Sequence, residues 1–273
     1  MRTIVHLSDL HFGRTDDALL TPLASIIAKL APDLVAVSGD LTQRARSTQF
    51  QAARAFLDRL PEPQIIVPGN HDVPLHNVFT RFMGPLDKYR RYITDDLEPF
   101  YSDDEIAVLG INTARSLTFK RGRINSNQID QAKMRLCALD PQIVKVIVTH
   151  HPFDLPERPA SNERVGRAEL AMNMLSACRC DLLLAGHLHV SDAGSVAMHA
   201  VGGSHDAIVV QAGTATSTRG RGELNSFNAI HVDANRIEVQ RFGWRPIDSV
   251  FEVMDSEHFE RTPAGWKSLL GGR

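Results

Sequence analysis

The sequence has few cysteines, no long apolar run and no obvious leader. Among its 273 residues are three cysteines: Cys137 stands alone, whereas Cys178 and Cys180 are too close together for an ordinary disulfide and lack zinc-knuckle spacing. We expect all three to be reduced and structural. No stretch approaches the roughly 18 uncharged apolar residues of a membrane span. A strand-like pattern begins at the N-terminus and leaves no room for a signal peptide, so we expect a cytoplasmic protein without a membrane span.

Net charge is also nearly absent. With 30 basic and 32 acidic residues, the net charge of −2 provides no general attraction to nucleic acid or to an anionic membrane. Basic clusters occur at 88–92, 120–123 and 219–221. In this overall balance they are better interpreted as solvated helix or loop surfaces, and nucleic acid is disfavoured as a partner. The oligomeric state is not readable from the sequence.

What the chain does contain is an alternation of strand-like and helix-like segments. Apolar runs of strand length occur at 3–7, 34–37, 65–67, 106–109, 144–148 and 182–185. Between them, apolar residues repeat near every 3.6 positions at 19–30, 50–60 and 129–139, as in helices. This βαβ pattern predicts an α/β protein with a mainly parallel sheet. From about Ser195 onward, short strands and glycine-rich turns predict antiparallel pairing. No linker or repeat interrupts the chain, so we expect one domain over 1–273, with the tail after Trp244 unplaced.

Metal-binding or proton-transferring side chains follow five of these runs. Because parallel strands place ligand sites at their carboxyl ends, residues distant in sequence are expected to converge there. The run at 106–109 is the exception, since no obvious ligand follows it. The candidate residues are Asp9, His11, Asp40, Asn70, His71, His150, His187 and His189.

These residue types suit two divalent metal ions. Asp9 and His11 are two positions apart, as are His187 and His189, so on an extended backbone each pair projects to one side and can chelate. Imidazole and carboxylate together favour Mn, Fe, Zn, Ni or Co over the all-oxygen cages of Ca. Two ions bring roughly four positive charges and two aspartates remove about two. A net positive centre then remains for hydroxide and a phosphoryl group.

The motifs, taken in order, resemble the calcineurin-like metallophosphoesterase superfamily. They are Asp9-x-His11, Gly39-Asp40, Gly69-Asn70-His71-Asp72, Thr149-His150-His151-Pro152 and Gly186-His187-x-His189. These motifs cover about two thirds of the chain. Its size and the opening Ser-Asp-Leu-His are similar to bacterial cyclic-nucleotide and glycerophosphodiester phosphodiesterases. His71 disfavours the related UDP-diacylglucosamine pyrophosphatases, which usually carry Arg at this position.

The resemblance implies a four-layer αββα sandwich of two mixed β-sheets around a binuclear site. One ion would be held by Asp9, His11, Asp40 and His189, and the other by Asp40, Asn70, His150 and His187, with Asp40 bridging. His71 would be the catalytic residue and, with Asn70, would contact the substrate. The role of His71 would be to stabilise the phosphate charge or to protonate the leaving oxygen. Two ions about 3.5–4 Å apart would lower the pKa of a bridging water from about 15.7 towards 7, giving hydroxide for in-line attack on phosphorus.

Several residues near the motifs have simpler explanations. Asp72 precedes Pro74 and a predicted helix, so we interpret it as a helix cap. His151 would line the pocket or pack against it, and both alternatives stay open. His6 lies within the first strand and is expected to be a core residue. Arg219 and Arg221 lie in a glycine-flanked loop that could overhang the site and bind a second phosphate or a carboxylate of the substrate.

Three functions are compatible with these residues. The leading hypothesis is a metal-dependent hydrolase of small phosphodiesters, of the cyclic-nucleotide or glycerophosphodiester type. A nuclease of the same superfamily comes next, disfavoured by the acidic chain. The third is a non-catalytic metal-binding scaffold, which the intact motif residues argue against. Phosphomonoester hydrolysis stays open as well, because the preference for diesters depends on the resemblance alone.

Overall fold

The computed structural model describes residues 1–75, 78–116, 121–153, 164–200, 203–218 and 222–269. The strands are β1 (Arg2–Leu7), β2 (Leu34–Ser38), β3 (Gln64–Val67), β4 (Phe100–Ser102), β5 (Ile106–Gly110), β6 (Val144–Val148), β7 (Leu182–Ala185), β8 (Asp192–Ala200), β9 (Gly203–Gln211), β10 (Ser226–Val232), β11 (Arg236–Arg245), β12 (Val250–Thr262) and β13 (Gly265–Ser268). The helices are α1 (Asp17–Leu30), α2 (Ser47–Leu57), α3 (Val78–Met83), α4 (Asp87–Tyr92), α5 (Ser126–Leu136) and α6 (Ala168–Ala177). All six predicted apolar runs are strands, and the three periodic segments are α1, α2 and α5.

The strands form two halves that are hydrogen-bonded to each other. The first half has the order β3-β2-β1-β10-β11-β12, and the second has β13-β9-β7-β6-β5-β4, with β8 added beside β9. Strand β13 pairs antiparallel with β12 and meets β9 where Gly265 lies opposite Asp206. Gly265 has a φ of 123°, and a side chain there would overlap the backbone of Asp206. The glycine therefore permits the join between the two halves.

Side chains alternate between two cores along each central strand. In β2, Leu34 and Ala36 face a cluster that also contains Val146 and Val148 of β6, so the two halves of the sheet pack face to face. The opposite side of β2 packs with α1 and α2 in a second cluster. Ile147 of β6 points the other way, into a third cluster with α5 and α6. The layers are therefore helix, sheet, sheet and helix, and the predicted αββα sandwich is confirmed.

In the described part of the tail after Trp244, which the sequence left unplaced, residues 245–269 contain β12 and β13. Trp266 in β13 is buried, and its indole Nε1 donates a hydrogen bond to Asp181 Oδ1 at 2.8 Å. Val253 and Met254 are exposed in β12, so this strand lacks the apolar alternation by which a strand is recognised in a sequence. The segment is a strand because it pairs with β11 along most of its length.

The expectation that all three cysteines are reduced is wrong for two of them. Cys137 follows α5 and Cys178 follows α6, and the two form a disulfide with a Cα–Cα distance of 4.4 Å. They are 41 residues apart and meet because both helices pack on the same face of the sheet. Cys180 is a free thiol, and burial raises its pKa. Among the helices of the described residues, none combines the length and apolarity of a membrane span.

Candidate metal centre

The structure brings together the seven metal ligands predicted from the sequence. Each follows the carboxyl end of a strand: β1 precedes Asp9 and His11, β2 precedes Asp40, β3 precedes Asn70, β6 precedes His150, and β7 precedes His187 and His189. Asp9, His11 and His150 have no exposed surface, and Asp40 is 1% exposed. A buried group of this polarity requires partners or a bound ion, because burying unpaired charge is costly.

The backbone of this edge is unusual. Five candidate residues adopt left-handed φ angles: Asp9 (53°), His11 (50°), Asp40 (52°), His187 (75°) and His189 (58°). Such angles are uncommon outside glycine and concentrate at functional sites. Two hydrogen bonds between neighbouring loops stabilise them, from Asp9 N to Gly39 O (3.1 Å) and from His11 N to Asp40 O (2.9 Å).

These angles correct the expectation of chelating pairs on an extended backbone. Asp9 and His11 do converge, with 3.4 Å between Asp9 Oδ1 and His11 Nε2. His187 and His189 diverge instead: His189 joins Asp9 and His11, whereas His187 joins His150. Left-handed residues turn the chain within these two steps, so the alternation of an extended strand does not apply.

The first donor cluster consists of Asp9, His11 and His189. Asp9 Oδ1 lies 3.4 Å from His11 Nε2 and 3.4 Å from His189 Nε2, and the two imidazole rings stack with centroids 5.1 Å apart. The other oxygen, Oδ2, accepts hydrogen bonds from Ser8 Oγ (2.6 Å) and from the backbone N–H of His187 (3.0 Å). Asp9 Oδ1 and His11 Nε2 are buried and make no hydrogen bond. Both atoms are thus oriented to bind a common cation.

The second donor cluster consists of His150, His187 and Asn70. Asn70 Oδ1 lies 3.1 Å from both His150 Nε2 and His187 Nδ1, and these two nitrogens are 3.3 Å apart. His150 Nδ1 lies 2.8 Å from the carbonyl oxygen of Ser38. Because a carbonyl only accepts, Nδ1 donates this hydrogen bond, and Nε2 is the nitrogen that faces the cluster and would bind a metal ion.

Asp40 lies between the two clusters. Its Oδ1 is 3.4 Å from His150 Nε2 and accepts a hydrogen bond from the backbone N–H of His71 at 2.8 Å. Its Oδ2 is 3.7 Å from His11 Nε2 in the first cluster. One carboxylate therefore contacts both donor sets, which is the position expected of a bridging ligand.

The electrostatics of the edge favour ionised carboxylates. Burial alone would raise the pKa of Asp40, but the neighbouring charge and hydrogen bond of His150 hold that pKa well below the usual value. For Asp9, burial is likewise outweighed by His11 and His189, and its pKa is lowered. Burial opposes protonation of His150, yet Asp40 raises its pKa to about 9. Burial and the charge of His150 lower the pKa of His187 to about 4. The carboxylates thus attract positive charge even though they are buried.

The candidate catalytic residue His71 lies beside the first cluster. Its ring is edge-on to that of His11, with 5.0 Å between centroids, and is half-buried. Its Nδ1 lies 2.8 Å from Gln43 O, so Nδ1 donates and the ring orientation is fixed by a backbone carbonyl. His71 is absent from the donor groups found in the described residues.

Asp72 does not cap the following helix, so that expectation is wrong. Its carboxylate is 1% exposed and accepts hydrogen bonds from Leu41 N (3.1 Å), Thr42 N (2.9 Å), Thr42 Oγ1 (3.0 Å) and Gly69 N (3.0 Å). Burial and the charge of Asp40 nevertheless raise its pKa to about 6. Asp72 ties the loop after β2 to the loop after β3, which positions Asp40 relative to Asn70.

His151 belongs to the site more closely than the sequence indicated. Its ring lies 4.6 Å from that of His187 and 4.8 Å from that of His150, and its Nδ1 is 2.8 Å from Thr113 Oγ1. Its nitrogens come close enough to those of His150 and His187 for a shared ion. The adjacent pair of histidines was the available signal, but sequence alone does not give their directions. His6 is the expected core residue: it is buried, bonds Ser38 Oγ at 2.9 Å, and has a pKa lowered to about 3 by burial.

Arg219 and Arg221, predicted to contact substrate, lie outside the described residues. Of the described candidates, the donor set of carboxylate, imidazole and amide oxygen fits a first-row divalent metal. The buried, unbonded Asp9 Oδ1 and His11 Nε2 agree with that fit, because such atoms in proteins are nearly always satisfied by a partner or an ion.

Known proteins share this sequence pattern and fold. A glycerophosphodiester phosphodiesterase, GpdQ, of Enterobacter lignolyticus is 26% identical over 56% of this chain and 58% of its own length. A probable cyclic nucleotide phosphodiesterase of Synechococcus is 26% identical over 55% of this chain and 58% of its own length. The match thus spans less than two thirds of either relative.

Solved structures show the same fold at lower identity. Purple acid phosphatase PPD1 from yellow lupin superposes with a TM-score of 0.72 at 14% identity, covering 96% of this chain and 54% of that chain. A dimetal phosphatase from Danio rerio gives 0.66 at 14% identity, covering 89% and 96%. The model of the calcineurin-like phosphoesterase family matches residues 2–191, which include both donor clusters. The chain belongs to the calcineurin-like phosphoesterase family.

Proposed function

We propose that this protein hydrolyses small phosphodiesters at two divalent metal ions drawn from Mn, Fe, Zn, Ni and Co. The observation that carries the proposal is the pair of buried donor clusters linked by Asp40. In this proposal Asp9, His11, Asp40 and His189 hold one ion, and Asp40, Asn70, His150 and His187 hold the other. When bound, such ions supply Lewis acidity for phosphoryl oxygens and lower the pKa of a coordinated water.

The residues of the chain would have three roles: to set the charge of the centre, to orient the ligands and to donate a proton. Asp40 and Asp9 provide the negative charge of the centre, and neutral Asn70 and the histidines leave a net positive charge for phosphate. The bond from His150 Nδ1 to Ser38 O and the four donors to Asp72 hold the ligands in place before substrate arrives. In His71, Nδ1 faces a carbonyl, so the other ring nitrogen is the one that would protonate the leaving oxygen.

Preference for diesters is supported by the two relatives. One is named a glycerophosphodiester phosphodiesterase and the other a probable cyclic nucleotide phosphodiesterase. With a net charge of −2, the chain has no general affinity for a long polyanion, so we propose a small phosphoester substrate rather than nucleic acid.

The test compares bis(p-nitrophenyl) phosphate with p-nitrophenyl phosphate on chelator-stripped protein, with and without added Mn. We expect Mn-dependent turnover that favours the diester. Turnover favouring the monoester would replace the proposal with a phosphatase. Absence of turnover in protein that binds no metal would replace it with a non-catalytic scaffold that holds no metal ion.

The proposed compartment is the cytoplasm, and the disulfide provides its test. Disulfides are rare in reducing cytosol, whereas Cys137 and Cys178 are bonded in the structure. Alkylation of free thiols during cell lysis, followed by mass spectrometry, should find both cysteines alkylated in a cytoplasmic protein. An intact disulfide under that treatment would argue for an oxidising compartment.

A further inference from the structure

Three arginines lie together beside the metal centre, and no carboxylate in the described part of the chain forms an ion pair with them. Arg115 is half-buried, whereas Arg123 and Arg167 are exposed. Arg115 Nε donates to the carbonyl oxygen of Arg123 at 3.2 Å, and Arg167 Nη1 donates to Ser126 Oγ at 3.2 Å. We call these three residues the arginine cluster. Their side chains carry five N–H donors each, of which these contacts use few.

Backbone hydrogen bonds fix the three segments that carry the cluster. Arg123 N donates to Thr113 O (3.0 Å), Gly166 N to Gly122 O (2.8 Å), and Ile124 N to Gly166 O (3.2 Å). Val165 N donates to Pro152 O (2.9 Å), just after the histidine pair that follows β6. The arginine cluster is therefore held at the same edge of the sheet as the metal centre.

Two contacts connect the segments that carry the arginine cluster to the site. A side chain at Gly122 would overlap the imidazole of His151, so the backbone next to Arg123 packs against that ring. Thr113 Oγ1 lies 2.8 Å from His151 Nδ1, and Arg115 follows two residues later, a reach of about 7 Å. His151 in turn contacts the ring of His187 at 4.6 Å. The segments that carry Arg115 and Arg123 thus contact His151, which in turn contacts the second donor cluster.

The charges of the cluster repel one another. Besides burial, the positive charges of Arg123 and Arg167 lower the pKa of Arg115. Like charges held together, with no carboxylate of the described residues paired to them, favour binding of an anion, and guanidinium groups match phosphate and carboxylate oxygens in a forked geometry.

We infer that the arginine cluster binds a second anionic group of the substrate, a phosphate or a carboxylate, while the scissile phosphodiester lies at the metal centre. This inference depends on the proposed phosphodiesterase function and narrows its substrate class to diesters that carry an additional negative group. It also assigns a role to Arg123, whose basic segment was interpreted from composition as a solvated surface.

The test uses two chromogenic diesters that differ by one phosphate. They are thymidine 5′-(p-nitrophenyl phosphate) and the same compound with a 3′-phosphate. We expect the metal-loaded protein to show a kcat/KM about tenfold higher for the 3′-phosphorylated compound, as for a charge-assisted contact. This ratio should fall as salt is added, because the arginines are partly exposed.

The variant that tests the cluster is Arg123→Gln combined with Arg167→Gln, since both side chains are exposed and folding does not depend on burying them. We expect the ratio between the two substrates to fall about tenfold, towards one. Arg236→Gln is the matched control, because Arg236 is exposed at the start of β11 and changes the net charge equally per site. An equal ratio in wild type and double variant would overturn the inference while leaving the phosphodiesterase function intact.

A binding measurement separates failure of the two proposals. Calorimetry with thymidine 3′,5′-bisphosphate and thymidine 5′-monophosphate should show tighter binding of the bisphosphate to the wild type, by about tenfold, and a smaller difference in the double variant. If neither chromogenic diester is hydrolysed, the proposed function fails, but this difference in affinity still tests the arginine cluster. Equal affinities of the two nucleotides for the wild type would contradict the inference directly.

Discussion

Asp181 before β7 and Asp9 after β1 are buried carboxylates at opposite edges of the sheet, in different surroundings. Asp181 is 1% exposed, and its Oδ1 accepts from Trp266 Nε1 (2.8 Å) while its Oδ2 accepts from Lys145 N (2.8 Å). Arg261 adds an ion pair at 3.1 Å. At the other end of the sheet, Asp9 Oδ1 is equally buried and makes no hydrogen bond. Both oxygens of Asp181 accept hydrogen bonds, whereas one oxygen of Asp9 accepts none.

The difference distinguishes a structural carboxylate from one that serves a ligand. At Asp181 every partner is a donor of the protein itself, which joins the C-terminal hairpin to β6 and β7. Asp9 and Asp40 also accept hydrogen bonds from the protein, but imidazole nitrogens, which can themselves bind a cation, lie 3.4 Å from both carboxylates. The Asp181 edge thus resembles a structural hydrogen-bond network, whereas the Asp9 and Asp40 edge collects the donor groups to which we assign metal ions in the proposed function.

The largest effect is expected from Asp40→Asn, which removes the charge shared by both clusters. The variant should lose bound metal, and turnover of bis(p-nitrophenyl) phosphate should fall by on the order of 10³-fold. Metal analysis and kinetics on the purified variant measure both. Asp181→Asn is the control for a buried aspartate at the opposite edge and should keep its metal. If Asp40→Asn retained both metal and turnover, the proposed difference between the two edges of the sheet would be wrong.

His71→Ala should separate metal binding from catalysis. Because His71 lies beside the donor clusters and bonds Gln43 O, its loss should leave the metal content unchanged. Turnover should fall by roughly 10²-fold through loss of proton transfer or charge stabilisation. A general acid is needed less for p-nitrophenolate than for an alkoxide, so the loss should be greater with an alkyl diester. Loss of metal from this variant would show that the assigned role is wrong.

Asp181→Asn should affect stability rather than chemistry. Each oxygen of Asp181 accepts one hydrogen bond, from Lys145 N or from Trp266 Nε1. An asparagine has only one acceptor oxygen, so its NH₂ group would face one of these two donors. The free energy of unfolding should decrease by about 2–3 kcal/mol. Urea denaturation measures this change, with metal content as the companion measurement. An unchanged unfolding midpoint would mean that the opposite edge is not held together by Asp181.

The smallest expected effect is the pH dependence due to His6. Burial lowers its folded-state pKa to about 3, whereas the unfolded chain binds a proton near pH 6.5. His6 thus favours the folded state above pH 6.5, and this contribution is lost as the pH falls towards 3. The decrease amounts to at most about 1.4 kcal/mol per pH unit. The variant His6→Gln removes this pH-dependent contribution to stability. Urea unfolding of metal-free wild type and variant between pH 7 and 5 should show different slopes, and identical slopes would refute this assignment.

Most of the fold and of the site follows from repeating local signals. Each apolar run that became a parallel strand of the site is followed by its candidate ligands, and parallel strands bring their carboxyl ends to one edge by geometry alone. This is why residues as distant in the chain as Asp9 and His189 can be grouped by their positions after strands. The ordered motifs added the bridging position of Asp40, which residue types alone do not specify.

What the sequence could not reveal depends on contacts over long separations or on backbone angles. His187 and His189 diverge because both adopt left-handed φ angles, and a histidine in the sequence does not predict such an angle. Asp72 follows the local pattern of a helix cap, but donors 30 or more residues away compete for its carboxylate. The Cys137–Cys178 bond requires two helices to pack on one face. In each case tertiary contacts outweigh the local rule.

The most direct test of the contrast between the edges is the number of metal ions bound. Chelator-stripped protein would be loaded with Mn, passed through a desalting column and analysed by plasma mass spectrometry beside Asp40→Asn. We predict two ions per chain for the wild type, since the donors form two clusters linked by one carboxylate. Wild-type protein that retains no ion after loading would contradict the claim that this edge is built for metal.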